Sequence, residues 1–518
     1  MGRPTRTTLR SAHRLGITAC VLLVLASGCS LVSTEPPGRN ESPSFSDGRP
    51  LRPIPKVRPD GFSDPPDGRG LSRYQVQQLD WRPCDKGLQC ATALVPLNYS
   101  QPDGSAITLA LAKRPATGTA KLGSLFINPG GPGGSGVNYV GYFKYRGLEN
   151  YDIVGWDPRG VGRSTPVDCS GEDLDSYVSM DISPDDTREE SALIEANREL
   201  GLACLKRSGV LLQHVSTAEV ARDLDLLRGL VGEDKTNFFG TSYGTQIGAT
   251  YAELFPTRVG RMVLDGAVNI TDDKSVTQAQ GFDRALGAFA NWCAGRDCEL
   301  GKTRAEVLQS IVALWTRLDG DPIKVGGRRL TQQLAVAGVV GVLYANQDAY
   351  KYLLQALRNA IEDDDGRFLL FLADQLNRRN DRGEFGQLVY AFPAVRCLDQ
   401  ADSGIRGELD AAAAASEKAP TVGPFFGPDL VCPMWPVAAV EKMRLTGAGA
   451  PPIVVIGTTG DPATPYEFAV GMANQLESGV LVTFKGRGHT AYRQSGCVQQ
   501  LVIRYLNQGV VPPDKSSC

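Results

Sequence analysis

The chain has 518 residues, of which 42% are hydrophobic and 21% are charged, a composition that supports a large buried core and excludes a wholly disordered protein. Its 54 Lys and Arg residues nearly balance its 57 Asp and Glu residues, so no nucleic-acid partner is expected. No apolar run reaches the ~18 residues that a membrane-spanning helix needs.

The first 28 residues have the features of a secretory signal peptide. Four arginines and no acidic residue precede the apolar stretch Leu15–Ala26. Two small residues stand directly before Cys29, as in lipoproteins whose cysteine is acylated and becomes the mature N-terminus. Cys20 fits the local pattern as well, but cleavage there would leave almost no apolar core. We therefore expect residues 1–28 to be removed and Cys29 to anchor the protein to the outer face of the cell membrane, with plain secretion as the alternative.

Residues 29–72 are rich in Pro, Ser, Gly, Asp and Arg. A segment of this composition buries too little apolar surface to offset its chain entropy. It is predicted to be an extended, disordered tether that holds the following domain away from the membrane.

Ten cysteines remain after the signal peptide and the anchor. An even number in an exported chain predicts disulfide bonds rather than free thiols. No second pair of Cys or His ligands stands at zinc-site spacing, so no metal is predicted. Consecutive pairing closes the shortest loops, and the expected bonds are Cys84–Cys90, Cys169–Cys204, Cys293–Cys298, Cys397–Cys432 and Cys497–Cys518.

Short apolar runs with strand character begin near residue 90 and alternate with helical stretches. The clearest helix begins at Ser216, with Glu219 three residues later, the pattern of a capping box. This alternation predicts a mostly parallel sheet with helices on both faces. The candidate strands are Ala91–Pro96, Ile107–Ala112, Ser124–Asn128, Ile153–Asp157, Asn237–Gly240, Arg261–Leu264, Pro452–Gly457 and Val480–Lys485.

Residues 270–445 interrupt this alternation with patterns that are mostly helical. We interpret them as a large helical cap inserted between strands, which leaves residues 73–269 and 446–518 as the two parts of the core. The candidate cap helices are Phe282–Trp292, Ala305–Leu318, Leu330–Tyr344, Ala349–Ile361 and Phe368–Leu376.

A Gly-Thr-Ser-Tyr-Gly run at residues 240–244 follows the strand Asn237–Gly240 and precedes a helical pattern. G-x-S-x-G between a strand and a helix is the nucleophile elbow, in which the flanking glycines permit a turn too sharp for a Cβ. The elbow would hold Ser242 above the edge of the sheet, where its hydroxyl can act as a nucleophile.

A nucleophilic serine needs a histidine base. The chain has three histidines: His13 lies in the signal peptide, His214 precedes the elbow, and His489 follows a late strand. The order Ser, acid, His along the chain is that of the strand–elbow–helix hydrolases. This order selects His489 as the base.

The base in turn needs an orienting acid, and two aspartates compete for that role. Asp461 lies in a turn-rich loop after the strand that precedes the histidine strand, whereas Asp265 ends an earlier strand. We favour Asp461 as the third member of the triad. Asp265 is the alternative, and we expect it to anchor the neighbouring turn.

The developing oxyanion needs two backbone N–H donors. Tyr243, which follows the nucleophile, supplies one of them. The glycine-rich loop at residues 128–134 would supply the other, and since Pro132 has no N–H we assign it to Gly131.

The same loop also contains a G-x-G-x-x-G pattern at residues 131–136, and Asp157 ends the next strand. This is the spacing of a dinucleotide-binding site. A lone match is weak evidence, an exported protein meets little NAD, and the pattern leaves Asp461 and His489 unexplained. We therefore predict no cofactor.

Taken together, these motifs resemble the secreted tripeptidyl aminopeptidases of actinobacteria. These are α/β-hydrolase serine peptidases related to proline iminopeptidases, in a group that includes mycobacterial cell-envelope lipoprotein proteases and carboxylesterases. The resemblance covers roughly residues 75–518, and residues 446–518 include that family's carboxyl-terminal segment. The matching stretches are Asn128–Gly136, Asp157–Ser164, Gly240–Thr245, Arg261–Gly266, Asp461–Pro465 and Gly486–His489.

This resemblance implies an α/β-hydrolase fold, the triad Ser242, Asp461 and His489, and a cap that limits substrates to the N-terminal end of a peptide. The sequence thus predicts an exported serine hydrolase that cleaves short peptides from a free N-terminus through an acyl-enzyme. Asp399 is the candidate partner of the substrate's α-ammonium group, and Pro393 nearby suggests a turn at this point. A carboxylesterase or lipase with the same triad is the alternative, and a non-catalytic binding module is a third, less favoured one.

Overall fold

The computed structural model describes residues 61–171 and 173–518, so the predicted signal peptide, the anchor at Cys29 and most of the predicted tether lie outside the described residues. All eight strands predicted from the sequence are present, with bounds that differ by up to three residues. The strands are β1 (Phe62–Ser63), β2 (Arg82–Pro83), β3 (Gln89–Pro96), β4 (Ala106–Arg114), β5 (Gly123–Asn128), β6 (Tyr151–Trp156), β7 (Thr236–Thr241), β8 (Val259–Asp265), β9 (Ile323–Val325), β10 (Arg328–Leu330), β11 (Ile453–Gly460), β12 (Gly479–Arg487) and β13 (Ser516–Ser517).

The helices alternate with the strands in the first and last parts of the chain and follow one another between β8 and β11. They are α1 (Ser72–Gln75), α2 (Gly136–Tyr142), α3 (Leu174–Ser179), α4 (Thr187–Ser208), α5 (Thr217–Leu230), α6 (Gly244–Leu254), α7 (Gln278–Ala294), α8 (Arg304–Gly320), α9 (Gln332–Leu343), α10 (Tyr350–Glu362), α11 (Arg367–Asn377), α12 (Leu388–Asp399), α13 (Gly404–Lys418), α14 (Tyr466–Gln475) and α15 (Gly496–Gln508).

One large sheet, in the order β13-β12-β11-β8-β7-β5-β6-β4-β3-β2, forms the centre of the core, and β1 pairs with β4. Six strands that are adjacent in the sheet, β6, β5, β7, β8, β11 and β12, run parallel to one another. Strands β4, β3 and β2 add an antiparallel edge. Parallel strands covered on both faces are buried along nearly their whole length, as β5 and β6 are. The predicted mostly parallel α/β fold is confirmed.

Neighbouring residues of the central strands pack into different hydrophobic clusters, because successive side chains of a strand point to opposite faces. Phe126 and Phe238 join the cluster that contains α5 and α6, whereas Ile127 and Phe239 join the cluster that contains α2 and α15. The sheet therefore has a helical layer on each face. The carboxyl ends of its parallel strands form one edge, which carries the loops after β5, β7, β11 and β12.

The segment between β8 and β11 contains α7 to α13 and the short hairpin β9–β10, and all five predicted cap helices are among them. Every residue of α9 is buried, in keeping with the apolar run that follows its two initial glutamines. The predicted boundaries at residues 269 and 445 stay predictions. Among the described helices, none combines the length and the apolar character needed to cross a membrane.

Two local expectations near the site need correction. Pro393 lies inside α12 rather than in a turn. A proline in a helix interior removes one hydrogen bond, but nearly all of α12 is buried, and this packing outweighs the loss. In addition, Ser216 caps α5, but the Glu219 side chain binds Arg159 and does not complete a capping box.

The ten cysteines form five disulfide bonds in the described part of the chain, in the consecutive order expected from the sequence. The bonds are Cys84–Cys90, Cys169–Cys204, Cys293–Cys298, Cys397–Cys432 and Cys497–Cys518.

Candidate active site

Ser242 lies at the sharp turn between β7 and α6 and has a positive φ of 56°. Such a backbone conformation is strained for a residue with a side chain and is held by its surroundings. The Ser242 N–H donates to the backbone carbonyl of Asp265, 2.9 Å away. A Cβ on Gly240 would stand 2.4 Å from the carbonyl oxygen of Gly244, so the flanking glycines are a steric requirement of this turn.

His489 follows β12 and contacts Asp461, which follows β11. The Nδ1 atom of His489 lies 2.9 and 3.0 Å from the two carboxylate oxygens of Asp461. Since a carboxylate can only accept, Nδ1 carries the proton and Nε2 is left with its lone pair. Nε2 is buried and has no hydrogen-bond partner among the described residues, so the Ser242 hydroxyl does not donate to it in this structure and its lone pair is free.

Asp461 is itself held by the backbone. It accepts hydrogen bonds from the N–H groups of Ala463, Thr464 and Thr490, at 2.9 to 3.1 Å. The carboxylate is thereby fixed in the plane needed to orient the imidazole, and it is shielded from water because its side chain is fully buried.

Asp265, the alternative acid, occupies a different position. Its buried carboxylate accepts from the N–H groups of Ala491 and Tyr492, just beyond the histidine. Burial raises the pKa of Asp265 to about 6, against the opposing effect of these N–H groups. Asp265 thus joins the Ser242 turn to the His489 loop without touching the imidazole, which agrees with the anchoring role expected from the sequence.

The cap also contacts the histidine loop. The His489 N–H donates to the carbonyl oxygen of Tyr344, the residue after α9, at 2.9 Å. The two rings meet edge to face with their centroids 5.4 Å apart. The end of the most buried cap helix therefore helps to place His489.

The glycine loop that contains the predicted oxyanion donor Gly131 lies beside the nucleophile. A Cβ on Gly130 would stand 2.8 Å from the Tyr243 nitrogen and 2.9 Å from the Ser242 Cβ, so the glycine loop lies directly against the elbow. Within the residues that the structure describes, neither the N–H of Tyr243 nor that of Gly131 donates a hydrogen bond. Both are therefore available to a developing oxyanion.

Asp157, the acid of the rival dinucleotide pattern, has its oxygens occupied by protein donors. Ser135 Oγ donates to it at 2.6 Å, and the N–H groups of Val137 and Arg163 donate at 3.0 and 2.8 Å. Asp157 is fully buried, so it cannot bind a ribose hydroxyl as that pattern requires.

His214 lies away from this cluster, after the helical turn that precedes α5. Its backbone carbonyl accepts from Arg159, and burial beside that guanidinium lowers the pKa of His214 to about 4. The histidine is therefore neutral at ordinary pH, and its environment is that of a structural residue.

Ser242 borders a cleft of about 850 Å³ between the sheet edge and the cap, and Thr464, which contacts His489 Nδ1, lines the same cleft. Ser242, Tyr243 and Gly131 form its core side, and Asp399 lies on its cap side. Other lining residues are Pro132, Gln246, Gln278, Phe392, Arg396 and Phe468.

Asp399, the last residue of α12, is the predicted α-ammonium partner. It accepts hydrogen bonds from the Thr217 N–H, at 2.8 Å, and from the Thr217 hydroxyl, which also contacts the Tyr243 hydroxyl. Burial raises the pKa of Asp399 to about 6. Sequence reasoning missed Thr217, and its position beside the cap residue of α5 was the only signal.

Arg396 brings a positive charge to the same cleft. Its guanidinium pairs with Asp429 through two contacts, one of them at 2.6 Å, and both side chains are buried. This pairing neutralises Arg396, so Asp399 is a cleft carboxylate with no cationic partner among the residues that the structure describes.

A mostly parallel sheet, a serine at a strand–helix turn, and an acid and a histidine after later strands define an α/β hydrolase. The profile of the family described as TAP-like protein matches residues 419–518. The chain is 37% identical to serine protease Hip1 of Mycobacterium tuberculosis, with 85% of this chain and 91% of that protein covered.

Two further relatives are similar over most of their length. Carboxylesterase B of Mycobacterium tuberculosis is 36% identical, with 83% of this chain and 86% of that protein covered. Tripeptidyl aminopeptidase of Streptomyces lividans is 32% identical, with 83% and 84% covered. The chain belongs to this family of actinobacterial α/β-hydrolase enzymes, and the resemblance drawn from its motifs is confirmed.

Proposed function

We propose that the chain is a serine peptidase that removes short peptides from free N-termini through an acyl-enzyme. His489 Nε2 takes the proton of the Ser242 hydroxyl as Oγ attacks the scissile carbonyl carbon. The N–H groups of Tyr243 and Gly131 stabilise the oxyanion. His489 then gives the proton to the leaving amine, and a water molecule, activated by the same base, hydrolyses the ester on Ser242.

The observation that carries this proposal is the His489–Asp461 pair, whose imidazole contacts Thr464 in the wall of the cleft that contains Ser242. Asp461 holds the imidazole in one tautomer and stabilises the imidazolium that forms. No further reacting group is needed, because nucleophile, base, acid and oxyanion donors are all supplied by this chain.

The restriction to free N-termini rests on Asp399. A substrate's α-ammonium is a cation, and a carboxylate that the protein leaves without a cationic partner attracts it through a charge-assisted hydrogen bond. A blocked N-terminus would leave that carboxylate unpaired in a partly buried site.

The length of the released peptide follows from α12. This helix contacts the glycine loop near Ala391, whose Cβ would lie 3.0 Å from a Cβ on Gly133, and it ends at Asp399. Eight residues of helix span ~12 Å, and three residues of extended peptide span ~10 Å. We infer that a tripeptide fits between Asp399 and Ser242.

The test is a pair of coumarin amides, Ala-Ala-Ala-AMC with a free N-terminus and its N-acetylated form. We expect at least a tenfold higher kcat/KM for the free form, and release of three-residue fragments from longer peptides by mass spectrometry. Equal cleavage of the two amides would contradict the requirement for a free N-terminus.

A carboxylesterase is the second candidate, and the similarity to Carboxylesterase B favours it. Acyl transfer to Ser242 would be the same for an ester and an amide, so the triad does not discriminate between them. An ester and an amide substrate that share the same acyl group distinguish the two candidates. A peptidase hydrolyses the peptide amide at a much higher rate than an esterase does.

We also propose that the protein is exported and lipid-anchored at Cys29. The five disulfide bonds support an oxidising compartment. Mass spectrometry of the mature N-terminus should find a diacylated Cys29, and a Cys29→Ala variant should leave the membrane fraction. Two or more free thiols in the denatured, unreduced domain would contradict the oxidised state.

A further inference from the structure

A second cavity, here called the α12 cavity, lies between the cap and helices α3 and α4, beside the Ser242 cleft. Phe392 lines both spaces and is their shared wall. The other walls of the α12 cavity come from α3, α4, α9, α11 and α12 and are largely apolar, with Val178, Leu193, Ala337, Val389 and Val431 among them.

One polar group in these walls has no partner. Gln333, on the buried helix α9, is nine-tenths buried, and its Oε1 atom accepts no hydrogen bond among the described residues. Its neighbour Gln332 is buried as well but accepts from the hydroxyl of Ser183 at 2.8 Å. A buried amide oxygen without a hydrogen bond costs free energy, which suggests that a bound ligand donates a hydrogen bond to it.

Pro393 alters the helix backbone beside the same cavity. Val389 lines the cavity, and Pro393, four positions later, has no N–H to donate to the Val389 carbonyl, so this turn of α12 lacks one helical hydrogen bond. An occupant that suits these walls has an apolar body and a hydrogen-bond donor at its tip.

We propose that the α12 cavity is a specificity subsite for a tyrosine side chain of the substrate. Phenylalanine would fill the apolar walls but leave Gln333 unpaired. A lysine would bring a charge, and no acidic residue is among the described residues that line the cavity. A phenol supplies an apolar ring and one O–H donor.

The position of Phe392 indicates which substrate residue enters. It precedes Asp399 by seven residues of α12, which is ~10 Å along the helix axis and close to the span of three extended residues. The subsite therefore takes the side chain of the third residue, whose carbonyl Ser242 attacks. This assignment rests on the proposed peptidase function.

The first experiment compares Ala-Ala-Tyr-AMC with Ala-Ala-Phe-AMC. We expect the wild-type enzyme to prefer tyrosine by about fivefold in kcat/KM, the worth of one neutral hydrogen bond. Gln333→Leu, which keeps the volume, should abolish the preference. Gln332→Leu removes the neighbouring amide outside the cavity and should keep the tyrosine preference, whereas a pair of substrates with Tyr or Phe at the second position should show no preference.

A second experiment needs no peptidase activity, so it separates this inference from the proposed function. Binding of p-cresol and toluene, which mimic the two side chains, is measured by saturation-transfer NMR. We expect p-cresol to bind the wild-type protein more tightly than toluene, Gln333→Leu to lose the difference, and Ala337→Phe to exclude both by filling the cavity.

A tyrosine preference that survives in Gln333→Leu, or p-cresol binding that is unchanged in Ala337→Phe, would overturn the assignment. Should Ala-Ala-Ala-AMC not be cleaved by the wild-type enzyme, the proposed peptidase function fails, and p-cresol binding then tests the cavity alone. Cleavage of Ala-Ala-Ala-AMC without any discrimination between tyrosine and phenylalanine rejects the subsite and leaves the peptidase function standing.

Discussion

The two sides of the cleft, one on the sheet edge and one on the cap, are held by different kinds of contact. On the sheet edge, Asp461 is fixed by backbone N–H groups within 29 residues of it in the chain. On the cap, Asp399 is fixed by Thr217, which is 182 residues away. The orienting acid is therefore held by backbone groups of its own loop and of the next loop along the chain, whereas Asp399 depends on how the cap packs on the core.

This difference predicts how each side responds to mutation. Changes at the sheet edge should reduce the chemical step for every substrate, because they act on groups that touch the reacting atoms. Changes at the cap should alter which substrates are used, since they act on groups that contact only the rest of the peptide.

The largest effect is expected at the nucleophile and base. Ser242→Ala and His489→Ala should each reduce kcat by about 10⁶, for ester and peptide substrates alike, because the groups act as a unit. The double variant should be no worse than either single one. Retention of more than a tenth of the activity by either single variant would contradict the assignment.

Next in size is the contrast between the two buried acids. Asp461→Asn should reduce kcat by about 10⁴, because an amide that donates to Nδ1 favours the wrong tautomer of His489. Asp265→Asn keeps an acceptor oxygen for Ala491 and Tyr492 and should cost far less. The measurement is kcat for both variants, with folding checked by circular dichroism. A larger loss in Asp265→Asn than in Asp461→Asn would move the acid role to Asp265.

A smaller effect is expected at the cap. Asp399→Asn keeps an oxygen for the Thr217 N–H but loses the charge, so KM for a free tripeptide amide should rise by about 10- to 100-fold, the scale of a charge-assisted hydrogen bond. The N-acetylated amide is the control and should be unaffected. An unchanged preference for the free N-terminus would remove Asp399 from substrate binding while leaving the triad intact.

The smallest predicted effect is a pH dependence of that preference. The raised pKa of Asp399, about 6, means that its charge is lost as the pH falls through this value. The ratio of kcat/KM for free and acetylated substrates should therefore decline below pH ~6, and again above pH ~8 as the α-ammonium deprotonates. Asp399→Asn should flatten the acidic limb, and a limb that persists would point to another group.

Much of the core was predictable because its signals are local. The strands are short apolar runs, and the elbow is a five-residue motif between a strand and a helix. With three histidines in the chain, the order along the sequence was enough to select His489. Asp461 could be separated from Asp265 because it follows the strand directly before the histidine strand, and neighbouring parallel strands end at the same edge.

The cap was less predictable because its signals conflict. Pro393 disfavours a helix, yet α12 forms since nearly all of its residues are buried against the rest of the fold. Thr217 gave no sign of contacting Asp399, and nothing in the sequence distinguishes the unpaired Gln333 from the paired Gln332. Such contacts join distant parts of the chain, and local patterns carry no information about them.

By itself the sequence determined the α/β class, the elbow and the order of the triad, because strand periodicity and turn chemistry act over a few residues. The tertiary structure decided what faces the nucleophile across the cleft: the Thr217–Asp399 contact, the neutralised Arg396 and the wall that Phe392 forms between two spaces. The physical reason is that burial and pairing of side chains depend on long-range packing of the cap, which no local propensity specifies.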